Sequence, residues 1–192
     1  MGQQNTSEMM QQADACLESG DINKAFDLYK KICEQAPGNS EALLMLGSIY
    51  GERQDTENAL KTITLSIDAN PENSRAHLAL GHVLQSMGKT QEAMQSFMKS
   101  VEVDPNDVVA LCTLASMQLE DNDELSAISN FEKAVAIEPG SFDAWNMLSR
   151  LHHRSGQFEK AIAGYKTMLM LQPDNAEIKS LLDQATADRS TA

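Results

Sequence analysis

The 192-residue sequence predicts an all-α solenoid of helix-turn-helix repeats, and three observations predict it. Its five prolines, Pro37, Pro71, Pro105, Pro139 and Pro173, follow one another at intervals of 34 residues. Twelve residues before each proline stands an alanine: Ala25, Ala59, Ala93, Ala127 and Ala161. Eight residues before each stands a bulky residue, Tyr29, Ile63, Phe97, Phe131 or Tyr165. A fixed period of this size marks a repeat protein, in which no unit buries its apolar face alone and each stacks on its neighbours.

Placing each proline at position 32 gives repeats at 6–39, 40–73, 74–107, 108–141 and 142–175. Residues 1–5 are expected to be disordered. In the first helix of each repeat, position 7 is Leu46, Leu80, Leu114 and Leu148 in the last four units, and position 8 is small: Ala13, Gly47, Gly81, Ala115, Ser149. A turn is expected at position 15, where Gly20, Gln54, Gly88, Asn122 and Gly156 include the residues most tolerant of a left-handed conformation. The second helix sets the alanine of position 20 against the small residue of the first, a crossing that only a methyl group fits, and adds the bulky residue of position 24 beside it. Position 28, Cys33, Ile67, Val101, Val135 and Leu169, completes its apolar stripe. The proline ends that helix, and Asn39, Asn73, Asp107, Ser141 and Asn175 follow as candidate caps of the next one. The first repeat departs from the pattern, with Gln12 and Gln35 at apolar positions, as suits an end unit facing water. After the fifth repeat, 176–187 keeps the phase, with Ile178, Leu181, Leu182 and Ala185 on one face and Glu177, Lys179, Asp183 and Gln184 on the other. This reads as a solubilising cap helix that ends the array, with a disordered tail at 188–192.

Composition narrows the function. Fifteen Lys and Arg against 28 Asp and Glu give a net charge of −13, which repels nucleic-acid backbones and anionic lipid. No apolar run is long enough for a membrane span, and the polar start lacks the pattern of a signal peptide. Cys16, Cys33 and Cys112 are odd in number and far apart, so they read as reduced thiols of a cytoplasmic protein rather than a disulfide or zinc framework. His77, His82, His152 and His153 lack metal-ligand spacing, and no catalytic set is visible, so no metal, cofactor or enzyme activity is expected. His77 reads as a core residue with one hydrogen bond. Gly88-Lys89-Thr90 resembles the end of a phosphate loop but has Val83 where that loop needs glycine, and it falls on the expected turn. Met1-Gly2 with Thr6 fits the minimal myristoylation pattern, without the basic patch that stable anchoring needs.

The 34-residue period, the alanine column, the small-to-bulky pairing and the terminal prolines resemble the tetratricopeptide repeat over residues 6–175, and Trp145-x-x-Leu148-Ser149 is close to its aromatic-x-x-Leu-Gly opening. The resemblance implies a right-handed superhelix whose concave groove is lined by positions 2, 5, 6, 9, 12 and 13. On this chain those positions include Met10, Asp14, Leu44, Met45, Leu78 and His82, then Val109, Cys112, Asn146, Met147, Arg150 and Arg154. The packing columns do not require the apolar members, so they suggest a surface for an apolar or amphipathic peptide or helix, the alternative being that some tuck against neighbouring repeats. Asp14, Glu18, Glu41, Glu52, Glu120 and Asp143 would form acidic walls. The carboxylate clamp by which some relatives hold chaperone tails is not matched, since only Arg75 among its fifteen possible places is similar. The fifth repeat alone is not acidic, and Asn146, Arg150 and Arg154 at spacings of four could hold an anionic group. Alternatively, Asp143 or Glu177 already pairs with the arginines. The expected function is a non-catalytic scaffold or adaptor for a protein partner. The rival is a regulatory or substrate-docking module of a transferase-type enzyme, encoded separately or fused.

Overall fold

The computed structural model describes residues 2–191, with side chains from Thr6 onward, and among them are eleven α-helices and no strand. The first helices of the five repeats are α1 (Gly2–Glu18), α3 (Ser40–Glu52), α5 (Ser74–Ser86), α7 (Val108–Glu120) and α9 (Phe142–Arg154). The second helices are α2 (Ile22–Gln35), α4 (Thr56–Ala69), α6 (Thr90–Val103), α8 (Glu124–Ile137) and α10 (Phe158–Leu171), and α11 (Ala176–Thr191) follows them. The helices divide into two compact units, Met1–Asp104 with α1 to α6 and Pro105–Ala192 with α7 to α11. In each repeat the first helix packs on the second as a hairpin.

Every hairpin closes on the same contact. The alanines of position 20 are fully buried in all five repeats, and Tyr29, Ile63, Phe97, Phe131 and Tyr165 are at most 1% exposed. Opposite Ile63 and Phe97 glycine is obligatory. A methyl group added to Gly47 would lie 2.5 Å from Cγ1 of Ile63, and one added to Gly81 would run into the Phe97 ring. Burying each large side chain contributes roughly 1.5–3 kcal/mol, and it does so only because the two backbones approach this closely.

The turn between the helices is also repeated. Gly20, Gln54, Gly88, Asn122 and Gly156 all adopt positive φ, from 61° to 80°. Each amide bonds back to the carbonyl three residues earlier, and the next residue's amide closes a longer loop: Gly20 to Leu17 and Asp21 to Cys16 in the first repeat, Gly88 to Gln85 and Lys89 to Leu84 in the third. This pair of bonds satisfies the last carbonyls of the first helix. Gly88-Lys89-Thr90 is therefore a turn and helix start. Asn39, Asn73, Asp107 and Asn175 cap the helices they precede through side-chain oxygens, whereas Ser141 makes no such bond.

Two further ties repeat. His77, buried as expected, places its Nε2 2.8 Å from the carbonyl of Pro71, and Trp145 at the same position of its repeat donates to the carbonyl of Pro139 at 3.0 Å. Buried Ser66 and Ser100 donate from the second helix to the carbonyls of Ser40 and Ser74, at 2.7 and 2.8 Å.

Disorder was expected at 1–5 and 188–192, and the described residues of these ends, 2–5 and 188–191, are helical. Helix α1 starts at Gly2, with no proline between it and Thr6 to stop it, and α11 runs on to Thr191. The extension of α11 is held by Asp188, 2.9 Å from Nε2 of His153, and by Arg189, 3.2 Å from Glu159. Ile178 and Ala185 bury its apolar face. Met1, where the lipidation pattern starts, and Ala192 lie outside the described residues.

His152 on α9 is 3% exposed, with Nε2 3.7 Å from Glu132 and no partner at Nδ1. Burial, reinforced by Lys160 and opposed by Glu132, lowers its pKa below the ordinary histidine value. The folded state therefore keeps it neutral, and the unfolded chain takes the proton first as pH falls. Its contribution to stability is complete above about pH 6.5 and is lost as pH falls toward the lowered value. Melting temperatures measured from pH 7.5 to 5 should fall with acid, and less steeply in His152→Gln; equal slopes would contradict this assignment.

Gly47→Ala should lower stability by roughly 1–3 kcal/mol through overpacking against Ile63. Gly51→Ala, on the same helix but with nothing within 4 Å of the added methyl, should be neutral or stabilising by up to about 1 kcal/mol. Denaturant melts of the two variants check the pair, and an equal loss in both would sink the close-crossing account.

Candidate functional site

In the first unit, α3 and α5 lie side by side, and the positions expected to face a ligand line one open trough of about 300 Å³, with an adjoining hollow of about 170 Å³. Ser48, Ala79 and His82 are common to both parts. Met45, Leu78 and buried Leu44 line the hollow, while Gly51, Glu52 and Ser86 line the trough. The trough owes its width to small residues. Gly47 lets Ile63 rise to form its floor, and Gly51, Ser48, Ala79 and Ser86 leave the space that larger side chains would fill. His82 stands at one wall, its ring edge-on to Phe97 at 5.1 Å, and partial burial lowers its pKa below the usual histidine value. Glu52 supplies a carboxylate at the opposite helix.

Leu44 needs a correction: as a groove residue it was expected to be free of the core, but it is 2% exposed and belongs to it. The hollow that it lines with Met45, Leu78 and Arg75 therefore shows only the margin of its side chain. Met10 does not join the trough; it lines a separate pocket of about 570 Å³ with Thr6, Ser7 and Pro37. Asp14 is tied to the core, accepting a 2.6 Å hydrogen bond from the Tyr29 hydroxyl. That bond and burial push the Tyr29 pKa far up, burial being the larger cause. Arg75, the one residue similar to a carboxylate clamp, pairs with Glu41 at 3.0 Å.

The other six expected residues lie in the second unit. Val109 is 62% exposed and Met147 is exposed, whereas Cys112 is half-buried and its thiol pKa is raised by burial and by nearby Asp143 and Glu138. The basic row of α9 is engaged within the chain. Arg150 donates through Nε to Asn146 at 2.8 Å and pairs with Glu177 of α11 at 2.5 Å, and Arg154 pairs with Glu124 of α8 at 2.7 Å. Of the two alternatives for this row, Glu177 is the acid that reaches it. Among the described residues, no cluster of three or more His, Cys, Asp or Glu is arranged to hold a metal, and no helix is long and apolar enough to cross a membrane. The three cysteines are free thiols.

The reading of the sequence missed Ser48, Gly51, Ala79 and Ser86. They occupy groove positions, yet a search for leftover large apolar residues passes over small ones. Leu44→Asp, which would bury a charge, should lower the melting temperature by many degrees, and Leu78→Asp at a half-buried site far less. Thermal melts of the two single variants decide it, and equal tolerance would return Leu44 to the surface.

The geometry agrees with comparisons to known proteins. A family model described as the tetratricopeptide-repeat domain of cytochrome c-type biogenesis protein H matches residues 62–179, and a general tetratricopeptide repeat model matches 40–73. No curated protein matches the chain. Among solved structures, PilF of Pseudomonas aeruginosa superposes with a TM-score of 0.84 at 18% identity, over 100% of this chain and 88% of its own. MamA gives 0.71 at 22% identity, over 86% and 96%. YrrB, described as a tetratricopeptide protein with an unusual peptide-binding site, gives 0.67 at 21%, over 93% and 90%. At these identities the likeness speaks for the fold alone, an all-α tetratricopeptide solenoid. With the helix hairpins, the small-residue crossings and a family model that spans more than half of the sequence, the chain belongs to the tetratricopeptide-repeat family.

Proposed function

We propose that this protein is a non-catalytic interaction module that takes a peptide or helical segment of a partner protein along α3 and α5. One observation carries the reading: the ligand-facing positions of two adjacent repeats line a single open trough, where Gly51 leaves open space although a methyl group added there would meet nothing within 4 Å. Its volume is at the lower end of the roughly 300–1,000 Å³ typical of small-molecule sites, and it is open along the surface. That suits a row of side chains better than an enclosed cofactor. The partner's apolar residues would enter beside Met45, Leu78, Ala79 and the Ile63 floor, and a basic residue would meet Glu52. YrrB, as a peptide-binding protein of the same fold, supports the mode. The three free thiols favour a reducing compartment such as the cytoplasm.

Ser48→Lys with Ser86→Lys should fill the trough and place positive charge where the partner's basic residue would sit. Fluorescence polarisation with amphipathic basic peptides selected on an array should show at least a tenfold loss of affinity, about 1.4 kcal/mol. The melting temperature should stay within a few degrees of the parent, both sites being only half-buried or exposed. Undiminished binding in the double variant would remove the trough from the function.

A further inference from the structure

The first and fifth repeats share a tyrosine at position 24, and the residue at position 9 of the first helix differs. In the first repeat the Tyr29 hydroxyl donates to Asp14 at position 9. In the fifth the same two positions are Tyr165 and Arg150. An arginine side chain has donors only, so the exchange removes the acceptor. Tyr165 is fully buried and its hydroxyl has no hydrogen-bond partner among the described residues. Burial raises its pKa, and Arg150, at the position from which Asp14 reaches Tyr29 in the first repeat, partly offsets the rise. Arg150 uses Nε on Asn146 and one terminal nitrogen on Glu177. Arg154 is engaged elsewhere, by Glu124. Donors at this spot thus exceed acceptors.

We infer that this face of the fifth repeat is a binding site for one carboxylate of a partner, held between the Tyr165 hydroxyl and the Arg150 guanidinium. A carboxylate is acceptor-only, with two oxygens to share between a hydroxyl and a guanidinium, so it supplies what the pair lacks. Glu177 is the internal stand-in. Its side chain is 70% exposed and Arg150's is 45% exposed, and an ion pair so open to water is weakly held and exchanges readily. The Tyr165 hydroxyl is closed to solvent in the free chain, so an incoming carboxylate would first replace Glu177 on Arg150 and gain the hydroxyl as the half-exposed arginine side chain moves aside. The inference rests on the interaction-module reading, but its residues all lie in the second unit and its test does not involve the trough.

The test is an NMR titration of the full chain, following the Arg150 Nε–H resonance with three acetylated tripeptides. One is alanine-glutamine-alanine with a free C-terminus, one is alanine-glutamate-alanine with an amidated C-terminus, and the control is amidated alanine-glutamine-alanine. A saturable shift with either of the first two and none with the control supports the site, and which one binds says whether a terminal or a side-chain carboxylate is preferred. Tyr165→Phe should weaken that binding at least fivefold while keeping or raising the melting temperature, because it removes a buried hydroxyl that bonds to nothing. Glu177→Gln should strengthen it at least twofold. The inference is overturned if no carboxylate peptide saturates, if the control shifts equally, or if Tyr165→Phe lowers the melting temperature and leaves binding unchanged. Failure of the trough variant would leave all these readouts unmoved.

Discussion

The close crossing of the two helices within each repeat is the contact on which the rest of the structure depends. The alanine of the second helix is fully buried in every repeat, and at Gly47 and Gly81 the isoleucine or phenylalanine one turn later presses against the first helix. At Gly47 and Gly81 the spacing leaves no room for even one more carbon, so the hairpin has one registration and its two apolar stripes must face the same way. The left-handed turn before each second helix delivers the chain into that crossing, and the cap residues fix where each helix begins. The first helices then stand with their remaining faces open, and what those faces carry is free to vary.

The first unit uses that freedom to stay small, with Gly51, Ser48, Ala79 and Ser86 opening a trough beside a glutamate. The small residue that permits the crossing serves the trough too, since Gly47 lets Ile63 form its floor. In the fifth repeat, within the second unit, the corresponding positions are Met147, Arg150, His153 and Arg154, and the basic groups are balanced from within. Glu177 and Asp188 of α11 meet Arg150 and His153, and Glu124 meets Arg154. Helix α11 covers the apolar end of the last repeat and also supplies acids to its one basic surface, which explains why it continues in helical form as far as Thr191.

The repeat boundaries, the crossing and the turns were legible because each depends on one residue type at one place: proline has no amide to continue a helix, alanine fits where nothing larger does, and glycine or asparagine accepts positive φ. Ser66 and Ser100 were not legible, because a serine that donates to a carbonyl across the hairpin looks in sequence like any surface serine. Leu44 was misplaced for a related reason. Whether a position-5 side chain is covered depends on its neighbours in other helices, and a single column carries no information about them. The ion pair to Glu177 was visible as a possibility, since that residue keeps the repeat's phase, whereas Asp188 lay beyond the expected end of the helix.

The most direct test of the central claim is a double-mutant cycle on Gly81 and Phe97, measured by denaturant unfolding. Gly81→Ala pushes a methyl into the ring, Phe97→Leu opens space at that point, and together they should partly cancel. The account predicts that the double variant is more stable than the sum of the two losses implies by at least about 1 kcal/mol, within the range for residues in contact. Strict additivity would mean that the two side chains do not meet across the crossing, and the packing described for every repeat would then be wrong.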